Sequence, residues 1–184
     1  MISESHPLQQ LFRELVNRNY SSSCVGLGDP EVCAYVSNML CEFCQTEQLF
    51  RIRSVTGRPL NDVGEMLLEA DPVYGDCPSF DRERQVRKHI GDYTLFFTGL
   101  FPESINHYRL RRQRMENFVD IVKAGKESYY IVSKFEFFEY AKVAPLFGRL
   151  SQEFERCVYG LNMVKNDLQE MQHPIVQKTK QVLM

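Results

Sequence analysis

Several signals that would place a chain in a membrane or outside the cell are missing from this sequence. The opening residues, MISESHPLQQLF, lack the basic region and apolar core of a secretory signal. The longest apolar stretch, Tyr93 to Phe101, contains Thr and Gly and falls well short of the roughly 18 residues that span a bilayer. We therefore expect a cytoplasmic location without a membrane partner, where the six cysteines are reduced thiols.

The sequence also lacks an excess of one charge and the short motifs that hold common cofactors. A net charge of -2 argues against a strongly basic protein that coats nucleic acid. There is no Walker A or GxGxxG loop to bind a phosphate. There is also no Glu-x-x-His pair to hold a di-iron centre. We therefore expect no bound cofactor and favour a non-enzymatic protein, although an enzyme is not excluded.

Cys41 and Cys44 form a CxxC pair. A structural zinc site normally joins two such pairs, and no second pair follows. The pair falls inside a predicted helix, outside the βαβ context of a thioredoxin motif. We expect both cysteines to pack as small apolar side chains, with a metal site as the weaker alternative.

Apolar residues recur at three- and four-residue spacings along most of the chain, which is typical of amphipathic helices. Cap residues mark several starts, with Asp29 before Pro30, Asn61 and Ser79 as examples. The predicted helices cover 6–20, 30–43, 62–70, 80–101, 115–140 and 145–171. Alternating polarity makes 49–59 the one candidate for a short β-hairpin. We predict an all-α, single-domain bundle of six or seven helices over residues 1–171, followed by a loose tail, 172–184.

The helix predicted over 80–101 changes character along its length. Its first half carries basic residues on one face, whereas the part from Gly91 onward is apolar or small on every face. Such a pattern indicates burial on all sides. We expect Gly91 and Thr98 to let a second helix come close, and Gly125 on the helix predicted over 115–140 to act in the same way.

Asp92 puts a carboxylate into this apolar stretch. Burying it without a partner would cost on the order of several kcal/mol. The predicted partners are His89, three residues earlier, and an arginine from 109–114. One interpretation is a polar core pair that fixes helix register. The alternative is a small-ligand or cofactor pocket lined by His89, Asp92 and Tyr93.

The segment HIGDYTLF, residues 89–96, and its continuation through Pro102 and Glu103 resemble a segment of an all-helical family of bacterial proteins. The stretches 62–70 and 79–83 resemble the same family, and the similarity covers about 60–160. No function is assigned to this family. The resemblance therefore implies a bacterial source and supplies no activity.

A basic segment follows, in which four arginines stand close together: Arg109, Arg111, Arg112 and Arg114. Guanidinium groups at this density are suited to the phosphates of a nucleic acid or nucleotide. The alternative is a solvated connector that pairs with the acidic first third of the chain.

Three aromatic residues lie off the main apolar stripe of the helix predicted over 115–140, namely Tyr130, Phe137 and Tyr140. Phe135 and Phe138 belong to the stripe itself, and glutamates interleave with the last aromatics. Exposed aromatics among acids are typical of a protein–protein surface. We therefore predict a binding or regulatory module that engages a protein partner or a second copy. A small-ligand bundle is the second hypothesis and nucleic-acid binding the third.

Overall fold

The computed structural model describes residues 6–75, 77–103 and 118–171, and it confirms the prediction of an all-α fold. The helices are α1 Pro7–Tyr20, α2 Pro30–Phe43, α3 Thr46–Leu49, α4 Val63–Glu69, α5 Phe80–Leu100, α6 Phe118–Val132, α7 Ala144–Gln152 and α8 Phe154–Glu170. A 3-10 helix, Phe138–Lys142, lies between α6 and α7. In these described ranges, none of the helices combines the length and the apolarity that crossing a membrane requires.

Two of the three predicted cap residues, Asp29 and Ser79, are found at the helix starts where the sequence placed them. Asp29 accepts hydrogen bonds from two backbone N–H groups in the first turn of α2, and Ser79 accepts one at the start of α5. Such bonds satisfy donors that a helix terminus otherwise leaves unpaired. At α4 the cap is Asp62 rather than the predicted Asn61, since the Asp62 carboxylate accepts from the Glu65 amide at 3.0 Å.

The helix predicted over 115–140 ends early, at Val132. The Ser133 hydroxyl donates to the Tyr130 carbonyl at 2.6 Å, and a side chain that bonds nearby backbone competes with continued helix. The chain then turns and resumes as the 3-10 helix, where Phe138 has a φ of +50°. The start of the predicted span, 115–117, lies outside the described residues.

The helix predicted over 145–171 is two helices, because the chain bends at Glu153 between α7 and α8. Leu150 and Phe154, on either side of the bend, are both fully buried. A bend of one residue leaves the apolar spacing nearly intact, so periodicity could not reveal it.

The segment 49–59 contains a single antiparallel bridge, between Arg53 and Pro59, and no strand. Gly57 takes a left-handed conformation in the turn, with a φ of +81°, which glycine adopts without steric cost. Leu49 belongs to α3 instead. The predicted hairpin is therefore reduced to a tight turn, since two short strands without a sheet are marginally stable.

The chain divides into two compact units. The terminal unit comprises 1–49, 96–115 and 155–184, and the central unit comprises 50–95 and 116–154. Helix α5 contributes to both. The single domain predicted over 1–171 stays a prediction, and the tail predicted over 172–184 lies outside the described residues.

In the terminal unit, Tyr20 at the end of α1 packs against α8. Its ring is fully buried, and its hydroxyl donates to the Cys157 carbonyl at 2.9 Å. A Cβ on Gly160 would come within 2.3 Å of that ring, so glycine leaves the space the tyrosine fills. Asn19 and Arg18 both donate to the Asp167 carboxylate, at 2.6 and 2.7 Å. These contacts attach the first helix to the last described one.

In the central unit, α5 and α6 approach each other through glycines. A Cβ on Gly91 would lie 2.4 Å from the Tyr129 ring, and one on Gly125 would lie 2.1 Å from the Thr94 hydroxyl oxygen. The roles predicted for Gly91 and Gly125 are therefore confirmed. Every residue from 89 to 101, Thr98 included, is buried, as the apolar pattern indicated.

Replacing Gly125 with alanine should destabilise the fold, because the added Cβ would overlap Thr94 and the Phe154 ring, both fully buried. Overpacking of a filled core costs about 1–3 kcal/mol. The matched control is Gly148→Ala, since a Cβ there meets only Ser133 at an ordinary 3.8 Å. Removing a helical glycine should make that variant neutral or more stable by about 0.5–1 kcal/mol. Urea denaturation measures both, and a Gly125→Ala variant as stable as Gly148→Ala would refute the close packing.

Candidate functional site

The carboxylate of Asp92 is buried in the central unit, with 1 % of the residue exposed. Lys88, one helical turn earlier, places its Nζ 2.6 Å from Oδ2. Tyr129 on α6 donates its hydroxyl hydrogen to Oδ1 at 2.8 Å. Arg51, in the segment before α4, lies farther away, with Nη2 3.9 Å from Oδ2. The charge that the sequence placed in an apolar helix therefore has the partners it requires.

We did not predict these three residues, and the two predicted partners of Asp92, His89 and an arginine of 109–114, stay predictions. Lys88 has the i, i+4 spacing that brings side chains together on a helix, so the sequence contained that signal. Tyr129 and Arg51 are distant in sequence, and no spacing rule points to them. Of the predicted partners, the 109–114 segment lies outside the described residues. His89 is fully buried on the same helix.

The side chains predicted to line a pocket share one stretch of α5. The rings of His89 and Tyr93 pack with centroids 5.9 Å apart, and the Tyr93 hydroxyl donates to the Asn61 carbonyl at 3.1 Å. The cations are the part of this cluster nearest to solvent, because the side chains of Lys88 and Arg51 are each 26 % exposed. A ligand arriving from solvent would therefore meet positive charge first.

A second buried ion pair lies in the same unit and was not predicted. Glu69 is 6 % exposed and accepts two hydrogen bonds from Arg82, at 2.7 and 3.2 Å. Arg82 also donates to the Arg53 carbonyl at 2.6 Å. The pair thus joins α4, the turn before it and α5, which is a structural role.

The predicted interaction residues lie on the surface around the 3-10 helix. Phe137 is 69 % exposed and Tyr130, on α6, is 54 % exposed, whereas Tyr140 is half-buried. Phe138, which was predicted to be buried, is 93 % exposed. Placing Phe138 on the buried stripe was wrong, because the stripe assumed a helix that continued past Val132. We call Phe137, Phe138 and Tyr140 the aromatic surface.

Tyr140 is held in place by the first turns of α5. The guanidinium of Arg84 lies 3.8 Å above its ring centroid, a cation–π contact. Its hydroxyl donates to Asp81 at 3.1 Å, and this hydrogen bond raises the pKa of Tyr140. The aromatic surface is therefore fixed at one end to a long helix.

Cys41 is buried and Cys44 is exposed. Burial raises the pKa of the Cys41 thiol to about 12, so it stays protonated at neutral pH, whereas metals bind the thiolate. Within the ranges the structure describes, no three His, Cys, Asp or Glu side chains come together as metal ligands do.

Comparison of the chain with protein-family models, with curated proteins and with solved structures finds no match. Two features of the described residues are candidates for a functional site: the aromatic surface and the Asp92 cluster, which we define as Asp92 with Lys88, Tyr129 and Arg51.

Tyr129→Phe should destabilise the protein more than Tyr93→Phe does. The first change removes a hydrogen bond to a charged carboxylate, which contributes about 1.5–3 kcal/mol. The second removes one to a neutral backbone carbonyl, which contributes about 0.5–1.5 kcal/mol. Both rings keep their packing, so the two variants are matched. Equal losses in the free energy of unfolding, measured by urea denaturation, would contradict the prediction. They would mean that the hydrogen bond from Tyr129 to the Asp92 carboxylate stabilises the protein no more than one to a neutral carbonyl.

Proposed function

We propose that this chain is a non-enzymatic binding module that engages a protein partner through the aromatic surface. The observation that carries the proposal is Phe138, which is 93 % exposed while its backbone has a φ of +50°. A left-handed conformation costs a residue with a side chain about 1–2 kcal/mol. The ring regains none of this by burial. Strain kept without a gain in packing is typical of sites that contact something else.

The fixation of the surface also supports this proposal. Arg84 and Asp81 hold Tyr140, and the Tyr140 amide donates to the Phe137 carbonyl at 3.0 Å. A surface that is ordered before binding loses less conformational entropy when a partner docks. Exposed aromatic residues on rigid backbone are the usual anchors of protein interfaces.

The charges beside the aromatic rings indicate the chemistry of the partner. Glu136 and Glu139 are both exposed, and they flank Phe137 and Phe138 in the chain. Complementary surfaces place opposite charges together. We therefore expect a partner that presents an apolar side chain to Phe138, with lysine or arginine on either side.

The alternatives from the sequence remain as further hypotheses. A small ligand bound beside His89, Asp92 and Tyr93 is favoured by one observation, the convergence of two cations at the solvent edge of that cluster. Nucleic-acid binding through Arg109, Arg111, Arg112 and Arg114 depends on residues outside the described ranges.

Phe138→Asn should weaken partner binding without loss of stability. Asparagine tolerates the left-handed region better than phenylalanine, so the free energy of unfolding should stay equal or rise by up to about 1 kcal/mol. A photo-crosslinking amino acid at position 138, introduced in the host cell, identifies the partner. Titration of the purified partner should then show at least a tenfold weaker affinity for Phe138→Asn than for the wild type.

Val55 provides the control, because it is 69 % exposed in the turn before Gly57. Crosslinker at position 55 should capture no such partner, and Val55→Ser should bind it with wild-type affinity. The proposal fails if position 138 yields no adduct, or if the purified partner binds Phe138→Asn as tightly as the wild type.

A further inference from the structure

We infer that the partner of the aromatic surface is a second copy of this chain, which docks through its basic segment 108–114. The inference rests on the proposed function, since it names the partner of the same surface. The docking surface consists of described residues of the central unit. The segment that docks, YRLRRQR, lies outside the described residues and is identified by its sequence.

The exposed apolar area extends from the aromatic surface onto α5. Phe80 is 78 % exposed and lies one helical turn before Arg84, on the same face of the helix. The guanidinium of Arg84 stacks on the Tyr140 ring. Each exposed phenylalanine ring can bury on the order of 150–250 Å². Phe80, Phe137 and Phe138 together therefore supply a large part of the about 800 Å² that each partner contributes to a specific interface.

The charges that flank Phe137 and Phe138 in the chain are carboxylates. Glu136 and Glu139 are both exposed, and no ion pair among the described residues involves either of them. Lys134, the preceding cation, lies over a tyrosine ring, with its Nζ 4.6 Å from the centroid. The rings therefore have acidic neighbours whose charge the described residues leave unpaired.

The segment 108–114 has the complementary pattern. Leu110 stands between Arg109 and Arg111, and the segment contains no acidic residue. This is the apolar side chain with a cation on either side that the proposed function requires. Guanidinium groups also stack on aromatic rings, as Arg84 does on Tyr140.

Other parts of the chain fit less well. An apolar residue between two arginines recurs at 51–53, but Ile52 is fully buried and cannot contact a partner. Among the acids of the first third, Asp29 and Asp62 cap helices, and Glu65 and Glu69 pair with arginines. Each copy carries one aromatic surface and one basic segment, so two copies can make the contact reciprocally.

The test is self-association of the full chain, measured by analytical ultracentrifugation over a range of concentrations. The wild type should dimerise, and its affinity for itself should fall at least tenfold in Glu136→Arg/Glu139→Arg and in Arg109→Glu/Arg111→Glu. Added salt should also weaken the wild-type dimer, because salt screens exposed charges.

Two controls separate loss of the contact from loss of the fold. Arg13→Glu/Lys123→Glu reverses two exposed charges outside the proposed contact and should dimerise as the wild type does. An equimolar mixture of the two test variants pairs the basic segment of one with the acidic surface of the other, and the two reversed groups with each other. Mixing should therefore restore the association that each variant alone has lost.

The crosslinker at position 138 identifies the copy and the segment involved. In an equal mixture of isotope-labelled and unlabelled chains, crosslinked peptides should join position 138 of one copy to 108–114 of the other. The inference is overturned if the wild type stays monomeric, if the mixed variants fail to associate, or if adducts form within one copy or outside 108–114. Capture of a different protein in the host cell would overturn the second copy as partner and leave the proposed function standing, whereas the absence of any adduct would contradict both.

Discussion

A carboxylate inside an apolar helix is the constraint on which the central unit depends. Asp92 cannot be buried alone, because desolvating an isolated charge costs more than packing of its neighbours returns. The structure answers with side chains from three segments: Lys88 on the same helix, Tyr129 on α6 and Arg51 before α4. Tyr129 also fills the space left by Gly91. Tyr129 thus packs α6 against α5 and also donates a hydrogen bond to the buried carboxylate. The pairing of the two helices and the burial of Asp92 therefore depend on the same side chain.

The aromatic surface differs from the Asp92 cluster in how its side chains meet water. In the Asp92 cluster, polar groups are taken from water and satisfied internally, whereas at Phe138 an apolar ring is left in water on strained backbone. Both arrangements cost free energy, because one buries a charge and the other leaves an apolar ring in water on a strained backbone. The first has a structural reason in the contacts it makes. The second has none among the described residues, and that difference is why we propose the aromatic surface as a binding site.

Local signals predicted much of the fold. Apolar spacing and caps located α1, α2, α4 and α5 to within a residue or two, because both depend on neighbours within a turn. The same spacing missed the end of α6 at Val132 and the bend at Glu153. After Val132, aromatic residues continue at helical spacing although the helix has ended. The spacing shows which residues are apolar, but it does not show whether the backbone is helical. Phe138 was misplaced for this reason. Phenylalanine rarely adopts a positive φ, so nothing in the sequence indicated the backbone conformation that exposes Phe138.

By itself, the sequence determined that the chain is helical, that the stretch from Gly91 onward is buried, and that Asp92 needs a partner. These conclusions follow from composition along one helix, where geometry is known in advance. Only the tertiary structure decided which groups answer that need. Tyr129 is 37 residues away along the chain, and Arg51 comes from an irregular segment that precedes a different helix. Which distant side chains meet is set by how helices pack and where loops end, and those depend on all contacts of the unit at once.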